Sequence, residues 1–338
     1  MKKVISLILS VLMTVSLLAG CASGGSSDTI ATAGPTTGAA EGKTYNIAIV
    51  QQLDHSSLDE IRTAAKAQLE AAAAEKGITV HIEEYRGQND PTLLNQIGAQ
   101  VVGDGVDLII PIATLAAQCM VTAADGTKIP IVYAAISDPV EAGLTRLDTV
   151  TGTSDALNTP FILDMMFAAT PDIQTVGLLY SNSEANSTTP IAEAKAYLEE
   201  KGIAYLEKTG NTTGEITEAV SAMVGRVDAV FTPTDNVVMA AESTVAEILN
   251  AAGIPHYAGA DSFVTAGAFA TCGVNYTELG TYTADMAMEI LLGGAVPEYH
   301  VMDGGIITVN TVTAAALSID YSVFSTMANT VAEVTTGE

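Results

Sequence analysis

Short polar side chains follow most of the predicted strands of this sequence, and they are of types that bind a small ligand by hydrogen bonds. They are Gln52, His55, Thr114, Gln118, Asp138, Ser183, Asn186, Ser187, Thr234, Asp235, Asn236 and Asp261. Because ligands of open parallel sheets bind beyond the carboxyl ends of the strands, we expect a binding cleft there. Helix capping explains single Ser, Asn or Asp residues, but a set repeated in both halves of the chain favours a ligand cleft.

The charges in this set indicate which ligand it suits. It contains no Lys or Arg, which a phosphate or dicarboxylate ligand usually requires. Its three acids are Asp138, Asp235 and Asp261. An acid can hold an ammonium group or a sugar hydroxyl, and the predicted helix that begins at Thr114 offers backbone N–H groups, including those of Leu115 and Ala116, to a carboxylate. Acids together with a helix start suit a zwitterion, of which an α-amino acid is the simplest.

Catalytic and metal-binding patterns are missing from the sequence. It has no G-x-S-x-G, H-E-x-x-H, C-x-x-C or phosphate-binding P-loop motif. A metal site built on Asp54, His55 and Asp59 is less favoured than a contact of His55 with an organic ligand. Cys119 falls in a predicted helix and Cys272 in an apolar strand, where buried free thiols are common. We expect no catalytic residue, metal or cofactor; the enzymatic alternative is an amino-acid racemase with one thiol in each lobe.

Alternating strands and helices must position these side chains. Strands are predicted at 45–50, 78–83, 106–110, 131–134, 175–180, 204–208, 227–231 and 255–258, with helices between them. VDLIIP at 106–111 corresponds to VDAVFTP at 227–233, which indicates an internal repeat. The fold class is therefore α/β, with two Rossmann-like lobes, each holding a parallel sheet. Strands near 269–273 and 306–309 and a helix at about 275–292 would form a multi-strand hinge beside the cleft.

Composition excludes several classes of protein. The 338 residues suit one large domain or two ordinary ones. With 13 basic and 39 acidic residues the net charge is -26, and nucleic-acid binding would need a basic surface. Hydrophobic residues make up 48% and charged residues 15%, so the chain is not a disordered acidic one. A mean hydropathy of +0.34 with one long apolar run indicates an Ala-rich globule, not a multispan membrane protein.

The amino-terminal segment predicts the compartment. Two lysines precede an apolar stretch at 5–19, which ends in Leu-Ala-Gly followed by Cys21. This pattern resembles a bacterial lipoprotein signal, so we expect a signal peptide over residues 1–20 and lipidation of Cys21. The Ser-, Gly-, Thr- and Ala-rich stretch 21–42 reads as a flexible tether. An ordinary signal peptide or an uncleaved anchor is the alternative.

Six segments carry a family resemblance. They are IAIVQQLDHSSLD (47–59), GQNDPTLLNQI (87–97), VDLIIPIATLAAQ (106–118), IPIVYAAISDPVEAGL (129–144), VGLLYSNSEANS (176–187) and VFTPTDNVV (230–238). Together they resemble bacterial ABC-transporter substrate-binding lipoproteins, in particular the tryptophan/tyrosine (aromatic amino acid) binding subgroup. The resemblance implies a periplasmic-binding-protein type I fold. Lobe 1 would span 43–150 plus about 275–303, and lobe 2 would span 151–274 plus about 304–338.

The resemblance also implies roles for the polar residues. Thr114 and the backbone after it would receive the ligand carboxylate. Asp235 would hold the ammonium group, with Asp261 as a second candidate and Asp138 also in the cleft. The two walls would contain Gln52 and His55 on one side, and Asn186, Ser187 and Asn236 on the other. The chain departs from the pattern after Val309 and contains no Trp.

The function that follows is binding and not catalysis. We expect a lipid-anchored, extracytoplasmic, monomeric protein that closes about a small zwitterion, with an aromatic amino acid favoured, and then docks on an ABC permease in the membrane. Nucleic acid is not an expected partner. A sugar or nucleoside binder, or a ligand-sensing module of the same fold, remains an alternative.

Overall fold

A computed structural model describes residues 42–145 and 147–337. The predicted signal peptide, Cys21 and the predicted tether up to residue 41 lie outside the described residues. No helix in the described ranges combines the length and the apolar character needed to cross a membrane.

Strands and helices alternate along most of the chain. The strands, β1 to β13, are Thr44–Gln51, Thr79–Arg86, Leu108–Ile112, Ile131–Tyr133, Val150–Ser154, Thr175–Tyr180, Ala204–Thr209, Ala229–Thr232, His256–Ala258, Ala270–Gly273, His300–Val301, Ile306–Asn310 and Thr330–Val334. The α-helices, α1 to α10, are Ser56–Lys76, Pro91–Asp104, Thr114–Ala123, Thr159–Ala169, Thr188–Lys201, Thr213–Ser221, Asn236–Ala251, Asp261–Thr265, Tyr276–Leu291 and Thr311–Leu317.

The strands form two sheets with a shared internal order. The first sheet runs β11-β5-β4-β3-β1-β2, and the second runs β13-β12-β10-β9-β8-β6-β7. All neighbouring strands are parallel except the antiparallel pair β10 and β12. The order β4-β3-β1-β2 in one sheet matches β9-β8-β6-β7 in the other, as an internal repeat requires. The predicted α/β class and its two parallel sheets are confirmed.

The chain passes between the two sheets three times, after β5, after β10 and after β11. Helix α9, which follows the second passage, packs against α1 on the first sheet. A Cβ atom on Gly280 of α9 would lie 2.5 Å from the carbonyl oxygen of Ile61 in α1, so only glycine permits this close approach. The division of residues into two lobes that move about a hinge stays a prediction.

Several elements were not predicted from the sequence. Strand β5 reads VTGTS, which holds one apolar residue and so lacks the apolar run by which buried strands are recognised. All five of its residues are nevertheless buried. After Val309, the chain continues into α10 and into β13, which pairs with β12. This last segment is therefore part of the second sheet and not an appendage.

The helices that start near the carboxyl edges differ in how their first backbone N–H groups are hydrogen-bonded. Asp90 caps α2 and Asp235 caps α7, and each side chain accepts two backbone N–H groups. Helix α3 has no side-chain cap, and the chain enters it through Ala113 at a φ of 73°, a left-handed conformation that is strained for alanine. The acceptor at the start of α3 comes instead from outside the helix, where Gln52 Oε1 accepts the Leu115 N–H at 2.9 Å.

Candidate ligand-binding site

A narrow cavity lies where the carboxyl edges of the two sheets face each other. Its polar lining consists of His55, Ser57, Thr114, Ser137, Asp155, Asn186, Thr234, Asp235, Asn236 and Ser262. Its apolar and aromatic lining consists of Leu58, Ala113, Ala135, Met239, Ala260, Phe263 and Tyr276. Both sheets contribute, and the cavity lies at the carboxyl edges, where a binding cleft was expected; that it binds the ligand stays a prediction.

Hydrogen bonds join the two sides of the cavity. From the half built on the first sheet to the half built on the second, they are Gln52 Nε2 to Glu184 Oε1 (2.9 Å), His55 Nε2 with Asn236 Oδ1 (3.0 Å), Ser57 Oγ to Ser262 Oγ (2.6 Å) and Ser137 Oγ with Thr234 Oγ1 (2.9 Å). In the opposite direction, Thr189 Oγ1 donates to Asp138 Oδ2 at 2.7 Å. The two halves are therefore closed over the cavity.

Asp235 lines the cavity, but its carboxylate is satisfied by its own half of the molecule. Oδ1 accepts the backbone N–H groups of Val237 and Val238 at 3.1 and 3.0 Å. Oδ2 accepts the N–H of Ser181 and the hydroxyl of Ser187, both at 2.7 Å. Burial raises the pKa of Asp235, and these four donors oppose that rise. Its main observable role is to fix the start of α7 to the end of β6.

Asp155 is the second carboxylate in the cavity wall, and it is less well satisfied. It follows β5, accepts the Ser137 hydroxyl at 3.0 Å and accepts the Tyr276 hydroxyl at 3.2 Å. Within the described residues, no basic side chain forms an ion pair with it. Burial raises the pKa of Asp155 because desolvation disfavours its charged form. A cationic group placed in the cavity would therefore be attracted to this carboxylate.

Three further polar atoms of the cavity wall are buried without a hydrogen-bond partner. They are His55 Nδ1, Thr114 Oγ1 and Asn186 Oδ1. Buried polar atoms are nearly always paired, since an unpaired one costs roughly 1–3 kcal/mol. Two of these atoms come from the first half and one from the second. All three belong to residues that line the cavity, so a polar ligand bound there would supply the missing partners.

Gln52 lies behind the cavity and holds the start of α3. Its Oε1 accepts the Leu115 N–H at 2.9 Å, so this N–H, which we expected to face the ligand, already has an acceptor. Ala116 is buried within α3 and does not line the cavity. Ala113 and Thr114 are the residues of this turn that do.

The predicted site residues thus divide into two groups. His55, Thr114, Asn186, Thr234, Asp235 and Asn236 line the cavity. Gln52, Leu115, Ala116, Gln118, Asp138, Ser183, Ser187 and Asp261 do not. Asp138 lies at the contact between the halves, and Asp261 lines a separate pocket with Glu60. Sequence reasoning missed Asp155, Leu58, Met239 and Tyr276.

Comparison with known proteins places the chain in a family. Residues 46–329 match the family model described as ABC transporter substrate binding protein. The chain belongs to this family. Its members are extracytoplasmic and partner with permeases. The family predicted from the sequence is confirmed.

Individual relatives are also similar over most of their length. The tyrosine-binding protein of Clostridioides difficile (strain R20291) is 33% identical over 326 residues, which are 94% of this chain and 93% of that protein. The solved structure of an ABC domain in complex with L-Trp from Streptococcus pneumoniae is 30% identical, with a TM-score of 0.79, and the match covers 86% of this chain and 100% of that one. These relatives are named for binding or transport and not for catalysis.

A third similar structure bears on the arrangement of the two halves. The ligand-free, open structure of a substrate-binding protein with adhesive properties from Clostridium difficile is 32% identical, and the match covers 86% of this chain and 99% of that one. Its TM-score is 0.65, against 0.79 for the L-Trp complex at the same coverage of this chain. Since identity is similar in both cases, the difference indicates an arrangement nearer to that of the complex.

Proposed function

We propose that this protein is the lipid-anchored binding component of an ABC importer and that it binds an aromatic amino acid in the cavity described above. The observation that carries the proposal is the set of incompletely satisfied polar groups around the cavity, to which both halves contribute. Relatives named for tyrosine binding and solved with L-Trp support the aromatic class. Binding then stabilises the closed arrangement by bridging the two halves.

In this proposal Asp155 holds the ligand ammonium group. It is a buried carboxylate without a basic partner among the described residues, whereas Asp235 already accepts four hydrogen bonds. The carbonyl oxygen of the Asn186 side chain, which lacks a partner, offers a second acceptor. Asp155 therefore replaces Asp235 as the first choice for this contact.

The ligand carboxylate would lie at the amino end of α3. Thr114 lines the cavity there, and its hydroxyl, which is buried and has no partner, can donate to a carboxylate. The helix dipole places partial positive charge at the same end. This position needs no Lys or Arg, which agrees with a cavity lining that contains neither.

The ligand side chain would pack against the apolar part of the wall. Leu58 and Met239 come from opposite halves, and Phe263 adds an aromatic ring that is 2% exposed. Aromatic rings pair favourably with one another and with methionine sulfur. This combination suits an aromatic side chain.

Calorimetric titration of the purified protein tests the ligand class. We expect L-Tyr and L-Trp to give a heat of binding. By mass action, each should also raise the free energy of unfolding by about 2.7 kcal/mol at a concentration of 100 Kd. D-Glucose, adenosine and spermidine serve as controls and should give no heat of binding. A result in which only one of these controls binds would overturn the amino-acid assignment and leave the family membership intact.

Lipid anchoring is a separate part of the proposal, supported by the L-A-G-C sequence that ends at Cys21. We expect Cys21→Ser to move the protein from the membrane fraction to the soluble fraction of cells, because a single residue carries the lipid. Fractionation with immunodetection measures this, and Cys119→Ser is the matched control. Retention of the Cys21→Ser variant in the membrane would indicate an uncleaved anchor instead.

A further inference from the structure

We infer that the Nδ1 atom of His55 is a hydrogen-bond acceptor that recognises a donor on the side chain of the bound amino acid, such as a phenol hydroxyl or an indole N–H. The inference rests on the proposed function. It follows from a chain of hydrogen-bonded side chains, Gln52, Glu184, Asn236 and His55, of which the first three are buried and His55 is half-buried. We call these four residues the polar relay.

The first step is the orientation of the Gln52 amide. Its Oε1 accepts the backbone N–H of Leu115 at 2.9 Å, and a backbone N–H can only donate. The amide Nε2 must therefore be the atom that faces Asn89 Oδ1 at 2.8 Å and Glu184 Oε1 at 2.9 Å. Gln52 is fully buried, so no water competes for these positions.

The second step is the orientation of the Asn236 amide. Glu184 uses Oε1 to accept from Gln52 and Oε2 to accept from Asn236 Nδ2 at 2.6 Å. When Glu184 is ionised it can only accept, so the NH₂ group of Asn236 must face it. The carbonyl oxygen Oδ1 of Asn236 is then turned toward His55.

The third step is the tautomer of His55. Its Nε2 lies 3.0 Å from Asn236 Oδ1, an acceptor, so Nε2 must carry the proton. Burial lowers the pKa of His55, which keeps the imidazole neutral, and Nδ1 is left with a free lone pair. That nitrogen is buried, has no partner and belongs to a residue of the cavity wall.

The chemistry of the ligand decides what meets this lone pair. A carboxylate would be repelled by it, and the ammonium group is drawn to the charged carboxylate of Asp155. The remaining donors of an amino acid are on its side chain. Tyrosine and tryptophan each have one, and phenylalanine has none. A buried acceptor left unpaired weakens binding strongly, so we expect L-Phe to bind about 10-fold more weakly than L-Tyr, or worse.

The variant Glu184→Gln tests the relay because it keeps the shape and reverses the polarity. Its amide oxygen would face the fixed NH₂ group of Gln52, so its own NH₂ would face Asn236. Asn236 must then turn its oxygen toward residue 184 and its NH₂ toward His55 Nε2, which places the histidine proton on Nδ1. We expect the preference for L-Tyr over L-Phe to fall below about 3-fold in calorimetric titrations at pH 8.5.

The pH is chosen so that Glu184 of the parent is ionised, since burial raises its pKa to about 7 and the neighbouring Asp235 adds to the rise. Glu207→Gln, which changes a carboxylate that pairs with Lys195 outside the relay, is the control and should keep the parent preference. An unchanged preference in Glu184→Gln overturns the inference. Equal weakening of L-Tyr and L-Phe also overturns it, because His55 would then act on the backbone of the ligand.

A direct measurement of the tautomer separates failure of this inference from failure of the proposed function. In a ¹⁵N NMR spectrum at pH 8.5, we expect His55 of the parent to carry its proton on Nε2 and His55 of Glu184→Gln to carry it on Nδ1. His55→Gln identifies the resonances by removing them. A parent histidine protonated on Nδ1 overturns the inference whether or not any aromatic amino acid binds.

Discussion

Replacing Asp155 with asparagine is expected to lower the affinity for L-Tyr and L-Trp by 100-fold or more while the protein remains folded. The substitution keeps the size of the side chain and its contacts with the Ser137 and Tyr276 hydroxyls, which can rotate to suit an amide. It removes the charge that would pair with the ligand ammonium group in a desolvated site. Losing one partner of a buried charge pair typically costs about 3–5 kcal/mol, which corresponds to a factor above 100.

The same substitution should have the opposite effect on the ligand-free protein. Because burial disfavours the ionised form of Asp155, its neutral replacement is expected to raise the melting temperature in the absence of ligand. Calorimetry measures the first effect and differential scanning fluorimetry the second. Asp261→Asn is the matched control, since burial and Glu60 raise the pKa of Asp261 to about 6 but it does not line the cavity. Parent-like affinity in Asp155→Asn would reject its role.

Gly152→Ala is expected to have the largest effect on stability. Gly152 lies in β5 opposite Tyr133 of β4, and a Cβ atom there would stand 2.1 Å from the Tyr133 carbonyl oxygen and 2.4 Å from its ring. Neither group can move freely, because Tyr133 is fully buried and its backbone belongs to the sheet. We expect the free energy of unfolding to fall by about 3 kcal/mol or more. Since β5 leads into Asp155, ligand binding should weaken as well.

Urea denaturation followed by circular dichroism measures this effect. The control is Gly103→Ala in α2, where a Cβ atom would have no neighbour within 4 Å. That change should stabilise the protein by about 0.5–1 kcal/mol, because alanine favours helix more than glycine does. A Gly152→Ala variant with the urea midpoint of the parent would show that β4 and β5 are not packed as closely as described.

Much of the fold could be predicted because its signals are local. Apolar runs mark the repeated core strands, and residues such as Asp90 and Gly77 mark where helices begin and end. Strand β5 could not be recognised in this way, because VTGTS is buried by the layers around it and not by its own hydrophobicity. The same holds for β13, whose pairing with β12 depends on contacts distant in sequence from its neighbouring elements.

The candidate site shows a similar limit. The carboxyl-edge rule selected His55, Thr114 and Asn186, which line the cavity. It would have selected Asp155 too, had β5 been recognised. The family resemblance placed Asp235 first for the ammonium group, and sequence spacing does not reveal that four donors already satisfy that carboxylate. Sequence position predicts which polar side chains lie near one another. Only the hydrogen bonds of the structure show which of these side chains still lack a partner.

The hydroxyl contacts between the two halves affect how the bound ligand is released. Ser57 with Ser262, Ser137 with Thr234, and Thr189 with Asp138 are hydrogen bonds that water can replace as the halves part. The two bonds between hydroxyl groups each contribute about 1 kcal/mol net, and the bond to the Asp138 carboxylate about 1.5–3 kcal/mol, so these contacts can be separated one after another. A transporter that pulls the halves apart would act against these bonds, the Gln52–Glu184 and His55–Asn236 bonds, and the bonds of the cargo together. The lifetime of the loaded state would then depend on which amino acid is carried.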